Sequence, residues 1–493
     1  MPNRERCKYM KPIGVTYTKI LKSDIVVIGA GGGGLAAAVT VVEKGAKVIV
    51  LEKRSMPGGS TNFAEGPFAA ESPTQKRLNI ECTKDELFNI QMYYNHWTLN
   101  AKQVREIINK SGDTIRWLEE KGIEFYLPMM YPNQSPMEWH NPKKGCPEII
   151  KTFMKDCQQS GAQVLFKTSA KKIVLDKSGK VSGVIAKTGN KEITIKTNSV
   201  IIATGGYGGN NRLIRKYNPT FNLKNVKFNM LKNIHDGDGL RMAFEIGADN
   251  DGLGKLILHG PGTAARPAFG LAIEANCIWV NKNGERFMQE SASFSPFESV
   301  NGVLRQPEQV CFSIFDEALL QYSQKNGLER PFQSSLHSRR MMTDWGVAFK
   351  KEATEDRMMI ADSWDGIAKW IGVKPAKLKA TIEEYNACCD KGHDDQFAKN
   401  PKNLRALKTP PYYVVKCAPS ILSSFGGIKT NHLMEVINKS GDPIKGLYAS
   451  GNDACGGFCG DTYNVRLAGA GCGFAFNSGR IAAENAAKYV MGK

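Results

Sequence analysis

Three glycines and one acid near the N-terminus have the spacing of a dinucleotide-binding site. Gly29, Gly31 and Gly34 follow an apolar run that begins after Asp24, and Glu52 follows a second apolar run. In such a site the glycines allow a tight turn, close approach of the backbone to a diphosphate, and close packing of a helix on a strand. A carboxylate after the second apolar run accepts hydrogen bonds from the ribose hydroxyls of the dinucleotide. These residues predict nucleotide binding, and an ordinary glycine-rich turn is the alternative.

A βαβ unit is needed to position these residues. The sequence predicts a strand ending at Gly29, a helix from about Gly34 to Lys44, and a second strand over residues 47–51. The N-terminus of that helix, with Gly33 in the same turn, presents free N–H groups and a positive dipole end to phosphates. The pattern therefore predicts a diphosphate at the first turn of the helix.

Further glycine-rich segments extend this site toward a flavin. Glycines allow backbone N–H groups to approach a cofactor, and Ser or Thr hydroxyls donate or accept hydrogen bonds. Two more buried strands end in glycine turns, and the ends of parallel strands meet at one edge of a sheet. The candidate FAD ligands outside the opening motif are Lys53, Gly58, Gly59, Ser60, Thr61, Ala64, Gly66, Ala203, Thr204, Gly205, Gly451 and Asn452.

The chain resembles the flavoprotein family typified by fumarate reductase and the succinate dehydrogenase flavoprotein subunit. Urocanate reductase and the 3-ketosteroid dehydrogenases are relatives in that family. The resemblance extends from about residue 24 to residue 493. Besides the opening fingerprint, its motifs are Gly58-Gly59-Ser60-Thr61, Ala203-Thr204-Gly205-Gly206, Gly237–Ala243, Val280–Glu290, Glu384-Tyr385-Asn386, Pro411-Tyr412-Tyr413, Gly446–Gly451 and Gly479–Glu484.

The resemblance implies an α/β fold with a Rossmann-like, glutathione-reductase-type FAD-binding domain that is split in sequence. We expect residues 1–20 to form an N-terminal extension, residues 21–255 and 409–493 the two parts of the FAD-binding domain, and residues 256–408 an inserted α+β capping domain. In the family this cap is mobile and covers the substrate. Closing a lid over a reduced flavin excludes water.

Local patterns predict several elements in and near the cap. Apolar runs predict strands at 276–280 and 310–315, and helical spacing predicts helices at 354–370 and 376–390. Residues 83–122 are predicted to be largely helical, with Trp97 in the core.

The resemblance also implies three polar site residues. Arg466 matches the arginine that holds a substrate carboxylate, and a guanidinium suits a carboxylate or a developing enolate. His259 matches the substrate histidine at the start of the cap. An arginine that binds loop carbonyls and a histidine satisfied at a strand end are the respective alternatives. Asp238, in the Gly-Asp-Gly motif, is assigned to cofactor binding.

Several polar groups of the family's reductases are absent from their expected positions. Phe294 stands in place of the proton-donating arginine, and Phe269-Gly270 and Ile273 replace a second arginine and a Thr-Glu pair. Ser423-Ser424 replaces a histidine. Burying a small dianion among these side chains would be costly. The sequence therefore predicts an acceptor larger and less charged than fumarate.

The proton donor is predicted from a second resemblance. Ala468 and Gly469, which are also assigned to cofactor binding, lie in a segment similar to the turn that, in 3-ketosteroid dehydrogenases, exposes backbone N–H groups to the substrate ketone. Leu467 occupies the place of the catalytic tyrosine of those enzymes, and Tyr463 is the candidate that replaces it. The less specific candidates are Tyr126, Tyr131 and Tyr207, and Asp461 either orients Tyr463 or caps a turn.

Flavin attachment is predicted to be non-covalent. The segment 58–61 contains no histidine where succinate dehydrogenases carry the attached flavin. Asn452 follows Gly451 where the family commonly has a glutamate beside the ribityl chain, and an amide still bonds hydroxyls.

Bulk composition excludes several other classes of protein. The net charge is +18 over 493 residues, but the lysines are spread evenly, so we expect no nucleic-acid site. No apolar run has the length of a membrane span, and Met1–Arg6 lacks the apolar core of a signal peptide, so we expect a cytoplasmic protein. Twelve scattered cysteines lack metal-binding spacing, so no metal site is expected. Cys455 and Cys459 are interpreted as packing residues, with a redox role as the alternative.

Together these features predict an FAD-dependent oxidoreductase acting on a C–C bond activated by a carbonyl, in the direction of reduction of an α,β-unsaturated acid or ketone. A steroid-type or bile-acid dehydrogenase and a flavin electron-carrier subunit are the alternatives. Because the chain has no haem, iron–sulfur or FMN-attachment segment, we expect electrons from NAD(P)H, a free reduced flavin or a redox partner protein.

Overall fold

The structure of the protein is a computed structural model. The structure describes residues 19–129, 136–226, 229, 231–232, 234–263, 269–328, 345–354, 358–460, 463–464 and 466–492. The predicted N-terminal extension lies almost entirely outside this set, as do Tyr131 and Asp461.

The strands are β1 Lys19–Lys22, β2 Ile25–Ile28, β3 Val48–Leu51, β4 Phe125–Tyr126, β5 Asn141–Pro142, β6 Gln163–Leu165, β7 Thr168–Leu175, β8 Val181–Thr188, β9 Lys191–Lys196, β10 Ser199–Ile202, β11 Asn250–Asp251, β12 Leu256–Thr263, β13 Ile278–Val280, β14 Cys311–Asp316, β15 Met358–Ala361, β16 Tyr412–Ser424, β17 Gly427–Ile428, β18 Glu435–Ile437 and β19 Pro443–Ala449. The helices are α1 Gly32–Glu43, α2 Pro73–Arg77, α3 Lys84–Tyr94, α4 Ala101–Glu120, α5 Cys146–Gln159, α6 Asn211–Tyr217, α7 Asp238–Glu245, α8 Phe269–Ala272, α9 Pro296–Leu304, α10 Glu317–Asn326, α11 Trp345–Thr354, α12 Trp364–Ile371, α13 Pro375–Lys391 and α14 Ala470–Met491.

A six-stranded sheet in the order β18-β19-β10-β2-β3-β6 forms the centre of the first domain. β19, β10, β2, β3 and β6 run parallel, and the apolar residues of β10, β2 and β3 are buried on both faces, as is typical of a parallel sheet covered by helices. Because Ile28 pairs with both Leu51 and Ile202, the loops after β2, β3 and β10 leave the sheet at one edge. The predicted βαβ unit and the convergence of the glycine turns are confirmed.

The C-terminal part of the chain completes this domain. β19 pairs with β10 in the middle of the sheet, and α14 packs along α1. The two helices are close enough that a Cβ on Gly479 would lie 2.2 Å from the carbonyl oxygen of Gly33. The first domain is therefore assembled from two separate stretches of sequence.

The inserted region contains a sheet in the order β12-β16-β14-β13, with β15 also paired to β16. One face packs on α10 and α11 and the other on α12 and α13. The Val280–Glu290 motif supplies a buried ion cluster in which Arg286 bonds both Glu290 and Asp394 at 2.9 Å. β16 continues this sheet to Ser424, beyond the boundary predicted at residue 409.

Two local predictions are wrong. The helix predicted at 354–370 is interrupted, because Met358–Ala361 pairs with β16 as a strand and Ser363 caps a new helix. Trp97 is 51% exposed and lies after the end of α3, in a segment with positive φ. The helices over residues 83–122 are confirmed as α3 and α4. Of the helices in the described ranges, none is long and apolar enough to cross a membrane.

Candidate active site

A cavity of about 1070 Å³ runs along the sheet edge from the end of β3 to the cap strand β12. It brings together most of the residues that the sequence predicts for cofactor and substrate. The predicted residues that line it are Gly29, Gly31, Gly33, Glu52, Lys53, Gly59, Ser60, Thr61, Ala64, Gly66, Ala203, Thr204, Gly205, Asp238, Gly451, Asn452, Gly469, His259 and Tyr463.

The opening glycines have the packing roles that the motif predicts. Gly29 has φ +109°, and a Cβ there would lie 2.3 Å from the carbonyl oxygen of Ala203. A Cβ on Gly34 would overlap the carbonyl of Gly29, so Gly34 acts by close packing and does not line the cavity. At Gly31 an added Cβ meets only the Gly58 carbonyl at 4.0 Å. The backbone at Gly31 is therefore open to a group that approaches the first turn of α1.

Acidic and basic side chains follow at the end of β3. Glu52 is buried, and each of its carboxylate oxygens accepts one backbone N–H, from Ala30 at 2.9 Å and from Arg54 at 2.8 Å. Further lone pairs on both oxygens remain available for ribose hydroxyls. Lys53 forms ion pairs with Asp236 at 2.5 Å and Asp238 at 3.5 Å.

A buried carboxylate that sequence reasoning did not assign shapes the turn after β10. Asp453 accepts backbone N–H groups from Thr204, from Gly205 at 2.9 Å and from Gly206 at 3.0 Å, and it also accepts the Thr204 hydroxyl. Complete burial raises the pKa of Asp453 to about 6, although these donors act in the opposite direction. Asp453 thus fixes the backbone of residues 204–206, which form the predicted flavin-binding loop.

Tyr463 lies at the cap end of the cavity, in a stack of aromatic rings. Its ring centroid is 4.6 Å from that of Phe297 on α9 and 5.8 Å from that of Phe425, whose ring is nearly parallel. Phe297 also contacts the ring of His259 edge to face at 5.6 Å. Ile257 and Leu422 add aliphatic surface. This end of the cavity, which we call the substrate chamber, is mostly apolar.

The Tyr463 hydroxyl meets the first turn of α14. It accepts the backbone N–H of Gly471 at 3.3 Å. N–H groups at a helix N-terminus stabilise negative charge, so this contact favours a developing phenolate. Burial dominates, however, and raises the pKa of Tyr463 well above its usual range. Tyr463 is therefore protonated at neutral pH.

Polar groups occupy one wall of the substrate chamber. His259 on β12 pairs with Ser420 on β16, and Ser423 lies further along β16. The amide of Asn452 donates to the Ser423 hydroxyl at 2.5 Å. All four residues line the cavity, so they can bind a polar substituent of a molecule placed beside the aromatic stack.

Three other predicted residues do not line the cavity. Gly58 precedes Gly59 in the chain, and the N–H of Gly58 donates to the carbonyl of Ala30 at 2.7 Å. The N–H of Ala468 donates to Glu138 at 2.7 Å and is buried, so it is not presented to a substrate as the ketosteroid resemblance implies. The Arg466 side chain is exposed beside Tyr94.

Tyr94 and Glu298 connect the cap with the first domain near Arg466. Burial and the neighbouring Glu298 carboxylate raise the pKa of Tyr94 to about 12, and Arg466 opposes that rise. The Tyr94 hydroxyl also lies 3.5 Å from the carbonyl oxygen of Tyr463. Arg466 thus lies close enough to Tyr94 to act on its charge, but it does not line the cavity.

The cavity fits FAD by its unused polar atoms as well as by its shape. Ser450 and His235 line the cavity, and Ser450 Oγ and His235 Nδ1 are buried without a hydrogen-bond partner within the described residues. Together with the open first turn of α1, they provide donors and acceptors for a phosphorylated, hydroxylated ligand. In the described part of the chain no cluster of three His, Cys, Asp or Glu side chains is arranged to hold a metal ion.

The sequence matches the family described as "FAD binding domain" over residues 24–469. The chain belongs to this family. It is therefore an FAD-dependent oxidoreductase, of the kind that reduces or forms carbon–carbon double bonds.

Similar proteins include enzymes and solved structures that match nearly the whole chain. A vinyl phenol reductase of Lactiplantibacillus plantarum is 30% identical, and the alignment covers 97% of this chain and 98% of that protein. The open conformation of a flavocytochrome c3 fumarate reductase has a TM-score of 0.72 and 26% identity, covering 96% of this chain and 79% of the other. A 3-ketosteroid-Δ4-(5α)-dehydrogenase from Rhodococcus jostii shares the fold, with a TM-score of 0.73, 22% identity, and coverage of 97% and 99%.

Several cavity residues lie outside every motif used in the sequence analysis. Thr168, Ser169 and Ala170 line the cavity from β7, and Trp139 lines it near Gly66. β6 pairs with β3 at the edge of the sheet, and β7 follows β6 directly in the chain. β7 therefore reaches the cavity. These contacts depend on strand order, which local sequence does not encode.

Proposed function

We propose that this flavoenzyme reduces a carbon–carbon double bond conjugated to a carbonyl or an aromatic ring, in an acceptor larger and less charged than fumarate. The observation that carries the proposal is the apolar, aromatic substrate chamber formed by Ile257, Phe297, Leu422 and Tyr463. In the part of the chain that the structure describes, the only Lys and Arg side chains that line the cavity are Lys53 and Arg54, at its far end. A dianion would be poorly stabilised in this chamber.

The similarity of this chain to a vinyl phenol reductase supports an aryl-alkene substrate. That relative matches nearly all of this chain, and its substrate as named carries a ring and no carboxylate. A planar ring packs favourably on the aromatic surface of Phe297. We propose that a hydroxyl or carbonyl on the substrate bonds the polar wall of His259, Ser420 and Ser423.

In the proposed mechanism, the reduced form of bound FAD would supply a hydride to the alkene. Tyr463 donates the proton to the other alkene carbon, since it lines the cavity and is protonated at neutral pH. The Gly471 N–H stabilises the oxygen as the proton leaves. Phe297 and Phe425 fix the ring, so the hydroxyl needs no large movement. Closure of the cap excludes water from the chamber.

Arg466 retains a narrower role in this proposal. Because its side chain is exposed next to Tyr94, we propose that it binds the carboxylate of acidic acceptors only. A neutral acceptor would not need it.

We further propose that FAD is bound non-covalently and that electrons come from outside the chain, from NAD(P)H, a free reduced flavin or a redox partner protein. The absence of a histidine in segment 58–61 supports the first point. The lack of a haem or iron–sulfur motif in the sequence supports the second.

The test is anaerobic reoxidation of the dithionite-reduced protein by a panel of acceptors. Fumarate, urocanate, cinnamates, vinylphenols and ketosteroids are added in turn, and recovery of the flavin absorbance is followed. We expect rapid recovery with an aryl-alkene and no useful recovery with fumarate. Rapid reoxidation by fumarate would contradict the proposed chamber chemistry. Failure of every acceptor would favour an electron-carrier subunit instead.

A further inference from the structure

His235 is a buried histidine in the FAD cavity that no family motif assigned to a role. It precedes α7, its side chain is only 5% exposed, and it lines the cavity beside Ile234. Its Nδ1 has no hydrogen-bond partner among the residues that the structure describes. A lone pair left without a donor is less costly to bury than an N–H left without an acceptor, so this nitrogen bears on where the proton of the ring lies.

The other ring nitrogen of His235 points to the region where the glycine loops meet. A Cβ added at Gly205 would lie 2.5 Å from Nε2, so the ring packs directly on this glycine. A Cβ added at Gly59 would lie 3.8 Å from the same nitrogen and 3.7 Å from Cα of Gly31. Nε2 therefore lies across from the open first turn of α1, where a diphosphate binds.

Burial, with help from the local charges, keeps this imidazole neutral. Burial is the largest cause, and Lys53 and then Arg54 add to it, so that the pKa of His235 is lowered to about 3. A neutral imidazole carries one N–H and one lone pair. Buried N–H groups without acceptors are rarer than acceptors without donors. The unpartnered Nδ1 is therefore assigned as the lone pair, which places the proton on Nε2.

We propose that His235 binds the diphosphate of FAD, donating a hydrogen bond from Nε2 to a phosphate oxygen opposite the N-terminus of α1. The diphosphate is then held between the backbone N–H groups of α1 on one side and a neutral donor on the other. The ring packs on Gly205, which has φ +88° and no space for a side chain.

Substitutions that place a donor at one or the other ring position test this assignment. In His235→Gln the amide nitrogen replaces Nε2, in His235→Asn it falls near Nδ1, and in His235→Phe the ring remains without a donor. The readout is the FAD dissociation constant, obtained from the fluorescence of FAD released when the holoenzyme is diluted. We expect it to rise roughly 10- to 100-fold for Phe and Asn, as for loss of a hydrogen bond to a charged group, and to stay near the wild-type value for Gln.

Phosphorus NMR of the holoenzyme distinguishes a diphosphate contact from a packing role. We expect the resonances of the bound diphosphate to shift in His235→Phe or His235→Asn and to return toward their wild-type positions in His235→Gln. Circular dichroism verifies the fold of each variant. Equal weakening of FAD binding by all three substitutions, or loss of affinity in His235→Phe with unchanged phosphorus resonances, would overturn the proposal. Wild-type affinity in His235→Phe would do the same.

Discussion

Removal of one oxygen atom from Tyr463 should separate catalysis from stability. In Tyr463→Phe the Gly471 N–H loses its acceptor, which lies at 3.3 Å, and a single hydrogen bond of this kind contributes about 1 kcal/mol. The stacking of the ring with Phe297 and Phe425 does not involve the hydroxyl. We therefore expect a folded protein that keeps its FAD.

The expected effect of this substitution on rate is much larger. Loss of a positioned general acid slows the chemical step by roughly 10²- to 10⁴-fold. This corresponds to about 3–5 kcal/mol of transition-state stabilisation, several times the cost in folding free energy. Because burial raises the pKa of Tyr463, the wild-type rate should not fall as the pH rises from 6 to 8.

The assay is anaerobic stopped-flow reoxidation of the reduced flavin by an accepted alkene, in H₂O and in D₂O. Tyr207→Phe is a matched control, because the buried Tyr207 hydroxyl also accepts one backbone N–H, from Gly254 at 2.7 Å, but does not line the cavity. We expect a wild-type rate and solvent isotope effect in the control. If Tyr463→Phe reoxidises as fast as Tyr207→Phe, Tyr463 is not the proton donor.

Three further outcomes follow from the site and its support. Arg466→Ala should keep bound FAD and lose turnover of acidic acceptors while retaining that of neutral ones; equal loss for both classes in steady-state assays would reject the selective role. Acid precipitation of the holoenzyme should release all flavin into the supernatant, and yellow colour retained in the pellet would show covalent attachment. His140 is fully buried next to Gly66, and its Nε2 lies 2.7 Å from the Ser72 hydroxyl. Burial lowers the pKa of His140 from 6.5 to about 4, so folding favours its neutral form. This stabilisation is complete above pH 6.5 and is lost as the pH falls through 4, so urea titrations should show about 3 kcal/mol less stability from this residue at pH 4 than at pH 7. A difference between wild type and His140→Gln that is constant with pH would contradict it.

The cofactor half of the site was predictable from sequence because its signals are local. Apolar runs that end in glycines, such as the one before Gly29, specify strands that must be parallel neighbours once a βαβ unit is formed. The register of Ile28 with Leu51 and Ile202 then brings the predicted loops together. The packing roles of Gly29 and Gly34 could be predicted from the same glycine spacing.

Residues that act through distant partners could not be predicted in this way. Asp453 supports a loop about 250 positions earlier in the chain. His235 becomes notable only when its burial and its unpartnered nitrogen are known. The helix predicted over 354–370 fails because strand pairing with β16 overrides the helical preference of Met358–Ala361. The position of Arg466 could not be predicted either, because it depends on how the loop that carries Arg466 packs near Tyr94.

The pairing of β12 with β16 has a mechanical consequence. Both strands belong to the sheet of the capping region, yet they also carry His259 and Ser423 to the wall of the substrate chamber. Register shifts interrupt the pair between Ile257 and Leu258 and after His259, and such irregularities are where a two-stranded ribbon bends. Tilting the lid about this ribbon would carry the hydrogen-bonding groups with it. A cap movement that admits a substrate would therefore also move the groups that align it.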